Sequence, residues 1–441
     1  MSNRLRLLLF LTFLLMFLIA APLLVLYTAG YRFDLGSGHI VHTAVLNISS
    51  IPRNATVYID GQAETDRTPA IIETVLPGEH EIQLQKKGYI TWTQNLFFES
   101  REATFATDTI LFLDENPEPI QELTPIQSAI SPTGDLLVYL TQESSWLELW
   151  STTGFEDSTR LLMRLPHDAS SEYSISFSLN GDYILLAREE GSFSELTIAD
   201  TQNGDLVSLP IPLSDTLAYW WDTQRDDLLY VAFTDTSYQI DLTASTETLL
   251  MDDMERMTTF DDRDVLLTEH NSRAVLSFLE DDTASIITYL PLGTYFFVPA
   301  PAPLIGLFDA QHERLVLIDS ENRDQPILLN EAAAQWQWNE NDQQLLYSSG
   351  FDLRLYDRYQ HESDTLTRLS DPIEYLTWYP QGSVVLYQAA GTTHALAVQD
   401  PQPEHLVLIE EAPGLFWFVD DAQSLLLLSE EGTIWQRPLQ K

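Results

Sequence analysis

From Leu136 to the carboxyl end the sequence repeats itself, and this constrains the fold more than anything else in the chain. Short apolar runs begin at Leu136, Tyr183, Leu228, Val265, Leu304, Leu345, Val384 and Ser424, at intervals of 37–47 residues with a mean near 41. Ahead of each run lie an apolar strand and a turn of Asp, Asn or Gly type. After it come a second turn, a strand such as SWLELW, YQIDL or RLVLID, and in most units one strand more. A helical solenoid of similar period would carry a 3.6-residue pattern; these runs are short, β-rich and bounded by turns. Four short strands per unit of 40–45 residues predict the blades of a β-propeller over residues 120–441, eight being preferred to seven. The eighth unit stops at Lys441 without a fourth strand, while Pro119–Leu123 is a strand-like segment left over before the first unit. Placed on the open edge of the last blade, that segment closes the ring and removes an edge that would template aggregation.

Three units carry a glycine turn: Ser131-Pro132-Thr133-Gly134-Asp135, Ser178-Leu179-Asn180-Gly181-Asp182 and Tyr379-Pro380-Gln381-Gly382-Ser383. On these residues the repeat resembles the WD-repeat-like and TolB-type β-propellers. Units near Leu228, Val265 and Leu304 depart from the pattern, and Pro299–Pro303 interrupts the fifth.

The amino terminus is of another kind. Residues 1–6 carry Arg4 and Arg6, and Leu7–Tyr31 then runs 25 residues without a charge. About 20 apolar residues span a bilayer core as a helix. The leading arginines favour a cytoplasmic amino terminus, so 7–31 reads as an uncleaved signal anchor with everything after it extracytoplasmic. A cleaved signal peptide is the alternative, but the run is long for one and Ala20-Ala21 is followed by Pro22.

Between anchor and repeat, alternation in VLNISS, TVYIDG, HEIQLQKKGY, TWTQNLFF and ATFATDTILF predicts five short strands over residues 45–113, with turns at Asp60-Gly61, Thr68-Pro69, Pro77-Gly78 and Lys87-Gly88. The residues Pro52, Val57, Tyr58, Asp60, Gly61, Thr68, Pro69, Pro77, Gly78, Glu79, Gly88 and Tyr89 resemble a PEGA domain, with His80 where the motif of that name has Ala. The resemblance implies a small, extracytoplasmic, non-catalytic β-sandwich near the membrane. Residues 114–119, with Pro117 and Pro119, read as a linker. The fold class is therefore an all-β ectodomain: one transmembrane helix, a PEGA-like β-sandwich, then a propeller closed by an N-terminal strand.

Charge narrows the function. With 22 Lys and Arg against 66 Asp and Glu, the chain carries −44, of which −40 falls on residues 116–441. Such a field repels phosphate backbones, so nucleic acid is excluded as a partner. There is no Cys, hence no disulfide and no thiolate metal site. No G-x-S-x-G, H-E-x-x-H or P-loop occurs, and none of the nine His falls on a strand expected to face the channel. Those inner strands offer Ser174, Ser176, Gln335, Gln337 and Glu374, with Asp222 and Asp261 near their ends, which is thin material for acid–base chemistry. Their aromatics, among them Trp220, Trp221, Trp336, Trp338 and Phe416, read first as packing between blades, with a carbohydrate or peptide platform as the functional alternative.

Acidic pairs recur at expected turns. Asp252, Asp253, Asp281 and Asp282 are the candidate binding residues, suited to a basic region of an envelope protein. A calcium loop pattern is missing, and no cofactor, metal or catalytic residue is expected. The expected function is a membrane-anchored extracytoplasmic binding or scaffolding protein, non-catalytic, with the bilayer as one partner. The alternatives are a propeller enzyme acting on envelope polymers and a rigid spacer.

Overall fold

The structure is a computed structural model. It describes the chain apart from residues 1–2, 29, 34–37, 154–157, 167–170, 235, 251–255, 262, 281–282, 381, 399–404, 411–412 and 420–422, and apart from the side chains of residues 3–9, 27, 190 and 280. The chain divides into two compact units, the first made of Met1–Glu115 with Ala397–Glu404 and Gln440–Lys441, the second of Asn116–Leu396 and His405–Leu439, and one helix, α1 (Asn3–Thr28), opens the first. Among the described residues no helix is long and apolar enough to cross a membrane. From Phe10 to Val25, however, the large apolar side chains of α1 stand 42–68% exposed. The 7–31 segment is shorter at its carboxyl end than the sequence suggested, because Tyr31 opens a strand (Tyr31–Phe33) that pairs with Ile40–His42.

Beyond that two-stranded pair, the first unit holds two sheets. Ala44–Ile51 lies between Ala70–Val75, antiparallel to it, and Ala103–Ile110, parallel to it. The other sheet runs Gln62–Arg67, Thr56–Ile59, Gly78–Gln85, Trp92–Phe98. Ala44–Ile51 alternates buried and half-buried side chains without a break. Its inner face supplies Leu46 and Ile48 to a core completed by Val57, Ile82, Leu84 and Phe98, all fully buried. The strand number is a correction: seven here, where alternation showed five. Gln62–Arg67 is polar but for Ala63 and carries no buried residue, so it has no apolar period to read. Asp60 and Gly61 both take positive φ and form the two-residue hairpin loop between Ile59 and Gln62. His80 donates to or accepts from Asp60 across 2.6 Å and reaches the Leu76 carbonyl oxygen at 2.9 Å. Burial alone would raise the Asp60 pKa, but the bonds from His80 and the Glu81 amide outweigh it and hold it below the ordinary value. The residue that departs from the PEGA motif thus acts as a clasp on the hairpin.

The second unit is a β-propeller of eight antiparallel sheets among the described residues, taken here as blades in chain order. Their first strands are Gln127–Ile130, Glu172–Phe177, Ala218–Trp221, Arg256–Phe260, Tyr295–Val298, Gln335–Trp338, Ile373–Trp378 and Gly414–Val419. Most second strands hold a short apolar run buried on both faces, as in Leu228–Ala232 and Val384–Ala389, which is why those runs do not alternate; Arg263–His270 of the fourth blade is buried only at Val265 and Leu267. Six blades have four strands of their own; the second has three. The eighth has three of its own and takes Glu118–Glu122 as its fourth, antiparallel to Thr433–Pro438. That strand begins one residue before the expected Pro119–Leu123.

Among the described residues no sheet closes on itself. Instead each blade packs on the next, and the last packs on the first: Trp417, Val419, Leu426 and Ile434 share one core with Leu137 and Tyr139. Trp417 Nε1 also donates to the Thr153 carbonyl oxygen of the first blade.

The glycine turns link first and second strands. In each, the amide just past the first strand donates across the turn, Ser131 to the Leu136 carbonyl oxygen, Ser178 to that of Tyr183 and Tyr379 to that of Val384, and in the first two the serine Oγ accepts the returning amide of Leu136 or Tyr183. The turn needs one residue of positive φ, supplied by Gly134, Gly181 and Gly382, and in the sixth blade by Asp342 (φ 57°). The sixth blade therefore keeps the turn without keeping the glycine.

Candidate ligand-binding cavity

The polar residues of the inner strands are spent on joining blades. Ser174 Oγ lies 3.1 Å from the Tyr219 hydroxyl, and Trp221 Nε1 donates to Ser176 Oγ. Trp220, on the opposite face of the same strand, donates to the Met257 carbonyl oxygen of the fourth blade at 2.8 Å. The two tryptophans therefore serve two different seams, as the alternation of a strand requires. Gln335 donates through Nε2 to the Glu374 carbonyl oxygen, and the Trp378 amide donates to Gln337 Oε1.

Asp222 is the extreme case. It is 1% exposed and accepts six hydrogen bonds, three on each oxygen. They come from the amides of Gln224, Arg225 and Thr259 and the hydroxyls of Tyr230, Thr258 and Thr259. No oxygen remains for substrate, so the residue ties the third blade to the fourth. It also pushes two neighbours up. Burial, then the Asp222 charge, raises the Tyr230 phenol far above its usual range and lifts the Asp264 carboxyl as well.

Around the middle of the ring the aromatics line a cavity of about 660 Å³. Its wall is built from first strands and from the turns that follow them: Trp336 and Trp338 of the sixth blade, Tyr375 of the seventh, Phe416 and Phe418 of the eighth, with Pro132, Leu179 and Pro299 from the turns of the first, second and fifth. That volume is within the ordinary range for small-molecule sites. The rings are held from behind. Trp336 packs on Phe308 with centroids 4.8 Å apart, Phe416 meets Tyr375 edge-on at 6.4 Å, and Phe418 meets Tyr379 at 5.5 Å. Burial pushes the Tyr379 phenol up to about 12 and raises Tyr375 too, so both stay neutral donors at any physiological pH. Tyr375 stays 37% exposed at the cavity wall. Rigid aromatic faces with a few polar groups at their margin suit a flat, largely uncharged ligand surface, such as a sugar ring or a peptide side chain. Packing between blades and lining of a cavity are here done by the same residues.

A second cluster lies off the central strands, in the seventh blade. Tyr387, 1% exposed, hydrogen-bonds His405 Nδ1 and stacks on His394 at 5.0 Å. Among the described residues no group of three or more His, Asp or Glu is placed to hold a metal ion.

The acidic residues singled out from the sequence, Asp252, Asp253, Asp281 and Asp282, lie outside the described residues. Their flanking strands are described. Arg256 begins the first strand of the fourth blade, at the end shared with His270 and Arg273; Glu280 and Thr283 pair at the opposite end, beside Phe260 and Arg263. The two pairs thus attach to opposite ends of one sheet and do not share an edge. Spacing along the chain could not show that, because adjacent turns in a meander alternate ends.

The PEGA domain family matches residues 43–110, in accord with the β-sandwich unit. No curated protein matches the chain. Among solved structures, a chain of the Dos1 propeller is 14% identical with a TM-score of 0.46, covering 73% of this chain and 95% of its own. A chain of the mitotic checkpoint complex is 10% identical at 0.44, covering 75% and 93%. Oligogalacturonate lyase in complex with manganese is 11% identical at 0.39, covering 72% and 99%.

Proposed function

We propose that this chain is a binding or scaffolding protein held at a membrane by α1, with its β-domains outside the cytoplasm and its eight-bladed propeller as the interaction platform. The observation that carries the reading is the aromatic cavity: six aromatic residues from three blades line one space of about 660 Å³, fixed in place by the seams behind them. Anchorage is supported by the uncharged run Leu7–Tyr31, the arginines before it and the outward apolar side chains of α1. The PEGA match is consistent with a place near the membrane.

A photo-crosslinking residue at Tyr375, on the cavity wall, is expected to trap a ligand or partner in the native envelope. The same residue at Tyr359, a turn position 71% exposed, serves as the control. Equal adducts at both positions, or none at Tyr375, refute the cavity as the platform. Retention in the membrane pellet after alkaline carbonate washing tests anchorage separately, and release into the supernatant refutes it.

The excess of 40 negative charges on residues 116–441 supports a basic protein region as partner, engaged at the turns that bear Asp252, Asp253, Asp281 and Asp282. Such binding weakens with salt, as the Debye length falls to about 8 Å at 0.15 M. Because the two pairs attach to opposite ends of a sheet, charge reversal at only one of them is expected to matter. Affinity that is flat from low to high salt refutes the electrostatic reading.

A further inference from the structure

The arginines of the second unit are matched in part. Arg164, Arg188, Arg225, Arg263, Arg354 and Arg368 each have a carboxylate within 4 Å. Arg256, half-buried at the start of the innermost strand of the fourth blade, has no ion-pair partner among the described residues. Instead its guanidinium carbon sits 3.5 Å from the centroid of the Phe296 ring. Arg160, Arg314 and Arg358 also have no carboxylate partner among the described residues, but each donates to a carbonyl oxygen, whereas Arg256 makes no such bond there.

Its surroundings form a pocket of about 290 Å³, separate from the aromatic cavity. Phe296, Tyr219, Trp220 and Phe193 give it apolar walls, and Glu189 stands at its margin. The polar atoms of the aromatic walls are engaged elsewhere: the Tyr219 hydroxyl with Ser174, and Trp220 Nε1 with the Met257 carbonyl oxygen. Glu189 is exposed and, like Arg256, has no ion-pair partner among the described residues; the two are not bonded to each other. One small pocket, with Ser192 and Ser194 beside its aromatic walls, therefore presents a cation and an anion that have no ion-pair partner among the described residues.

We propose that this pocket binds a small zwitterion of the amino-acid class, with its carboxylate on Arg256 and its ammonium toward Glu189. A guanidinium stacked on a ring keeps its N–H donors free in the ring-parallel plane, in the fork that matches a carboxylate. Half-burial makes the unpaired charge costly, and burial lowers the Arg256 pKa accordingly. A bound carboxylate offsets that cost, whereas in water the same pairing contributes little. Glu189 discriminates: a simple carboxylate meets repulsion there, and an amino acid meets a partner. The site shares no lining residue with the aromatic cavity, so it stands or falls apart from the cavity proposed above.

The test is calorimetric titration of the full chain in detergent with L-leucine and L-phenylalanine. Two analogue sets accompany them: the methyl esters, which lack the carboxylate, and 4-methylpentanoate and 3-phenylpropionate, which lack the ammonium. Expected is saturable binding of at least one amino acid and a loss of at least tenfold for its ester and for its deaminated acid. R256Q abolishes binding, R256K, which keeps the charge but not the fork, weakens it at least tenfold, and E189Q brings the amino acid down to the level of the deaminated acid. The unmodified chain and the analogues alone decide the matter if a variant fails to fold. No binding by either amino acid, or equal binding by acid, ester and zwitterion, overturns the proposal.

Discussion

Replacing Asp222 measures how much of the ring's stability rests on one seam. In Asp222→Ala the Thr259 amide loses the acceptor it holds at 2.7 Å, and the hydroxyls of Tyr230 and Thr259 lose theirs at 3.0 and 2.9 Å. Thr258 keeps a bond to Thr223, so that site is cushioned, whereas the bond Tyr230 accepts from Gln239 leaves its own O–H without an acceptor. The Gln224 and Arg225 amides belong to a half-buried turn where water can replace the lost oxygen. A buried donor left unsatisfied costs about 1–3 kcal/mol, which puts the total at about 3–5 kcal/mol. For a large domain about 2 °C in Tm corresponds to each kcal/mol, so a fall of about 6–10 °C is expected.

Asp222→Asn sharpens the reasoning. One carboxylate oxygen faces two amides and a hydroxyl, the other one amide and two hydroxyls. Hydroxyls can turn to accept from a new NH2; amides cannot. The NH2 therefore takes the second position and opposes only the Thr259 amide. One unsatisfied donor costs about 1–3 kcal/mol, so Asn should cost about half of what Ala costs. Urea titration followed by tryptophan fluorescence and circular dichroism gives both values. A change below about 1 kcal/mol for Ala, or Asn as damaging as Ala, would falsify the seam argument.

Three further outcomes follow from the same structure. Gln121→Pro, in the strand that completes the eighth blade opposite Ile434, should lower Tm and promote aggregation through the freed edge of Thr433–Pro438; unchanged light scattering on heating counts against closure by that strand. Gly414→Ala sets a Cβ onto the Leu428 carbonyl oxygen and should cost about 1–3 kcal/mol in urea midpoint, where an ordinary surface Gly→Ala is neutral or better. Burial holds the His394 and His405 pKa values below the ordinary value, with the His405 charge adding to the effect on His394, so the unfolded chain binds more protons below about pH 6.5. Stability should be full above that pH and fall as pH drops toward the folded-state values, and the double variant His394→Gln, His405→Gln should flatten the fall in a pH series of melts.

The propeller was readable because most of its second strands, buried on both faces, leave compact apolar blocks such as Leu345–Tyr347 and Leu425–Leu428 that survive any change in the turns. Blade boundaries were harder wherever chemistry replaced glycine. Asp342 takes the left-handed turn position in the sixth blade, and Asp222 organises its turn through side-chain bonds, so neither shows the glycine motif. In the sandwich, Gln62–Arg67 went unread because an exposed edge strand needs no apolar period. The edge is polar for the same reason that it is invisible.

The sites were least legible, and the reason is geometric. An aromatic on an inner strand has the same local pattern whether it fills a seam or borders a cavity; Trp336 does both, packing on Phe308 while lining the central space. What distinguishes the two is the curvature of the ring, set by all eight blades together and by no one segment. Arg256 is the converse case. In the sequence it follows a run of acids and looks compensated. In the structure its guanidinium turns to Phe296, forty residues on and in the next blade, and stays without a carboxylate among the described residues. Charge patterning along a chain predicts fields, not pairings. A residue's partner is decided by the seam it enters, so an acidic surface and an unspent arginine can share one blade.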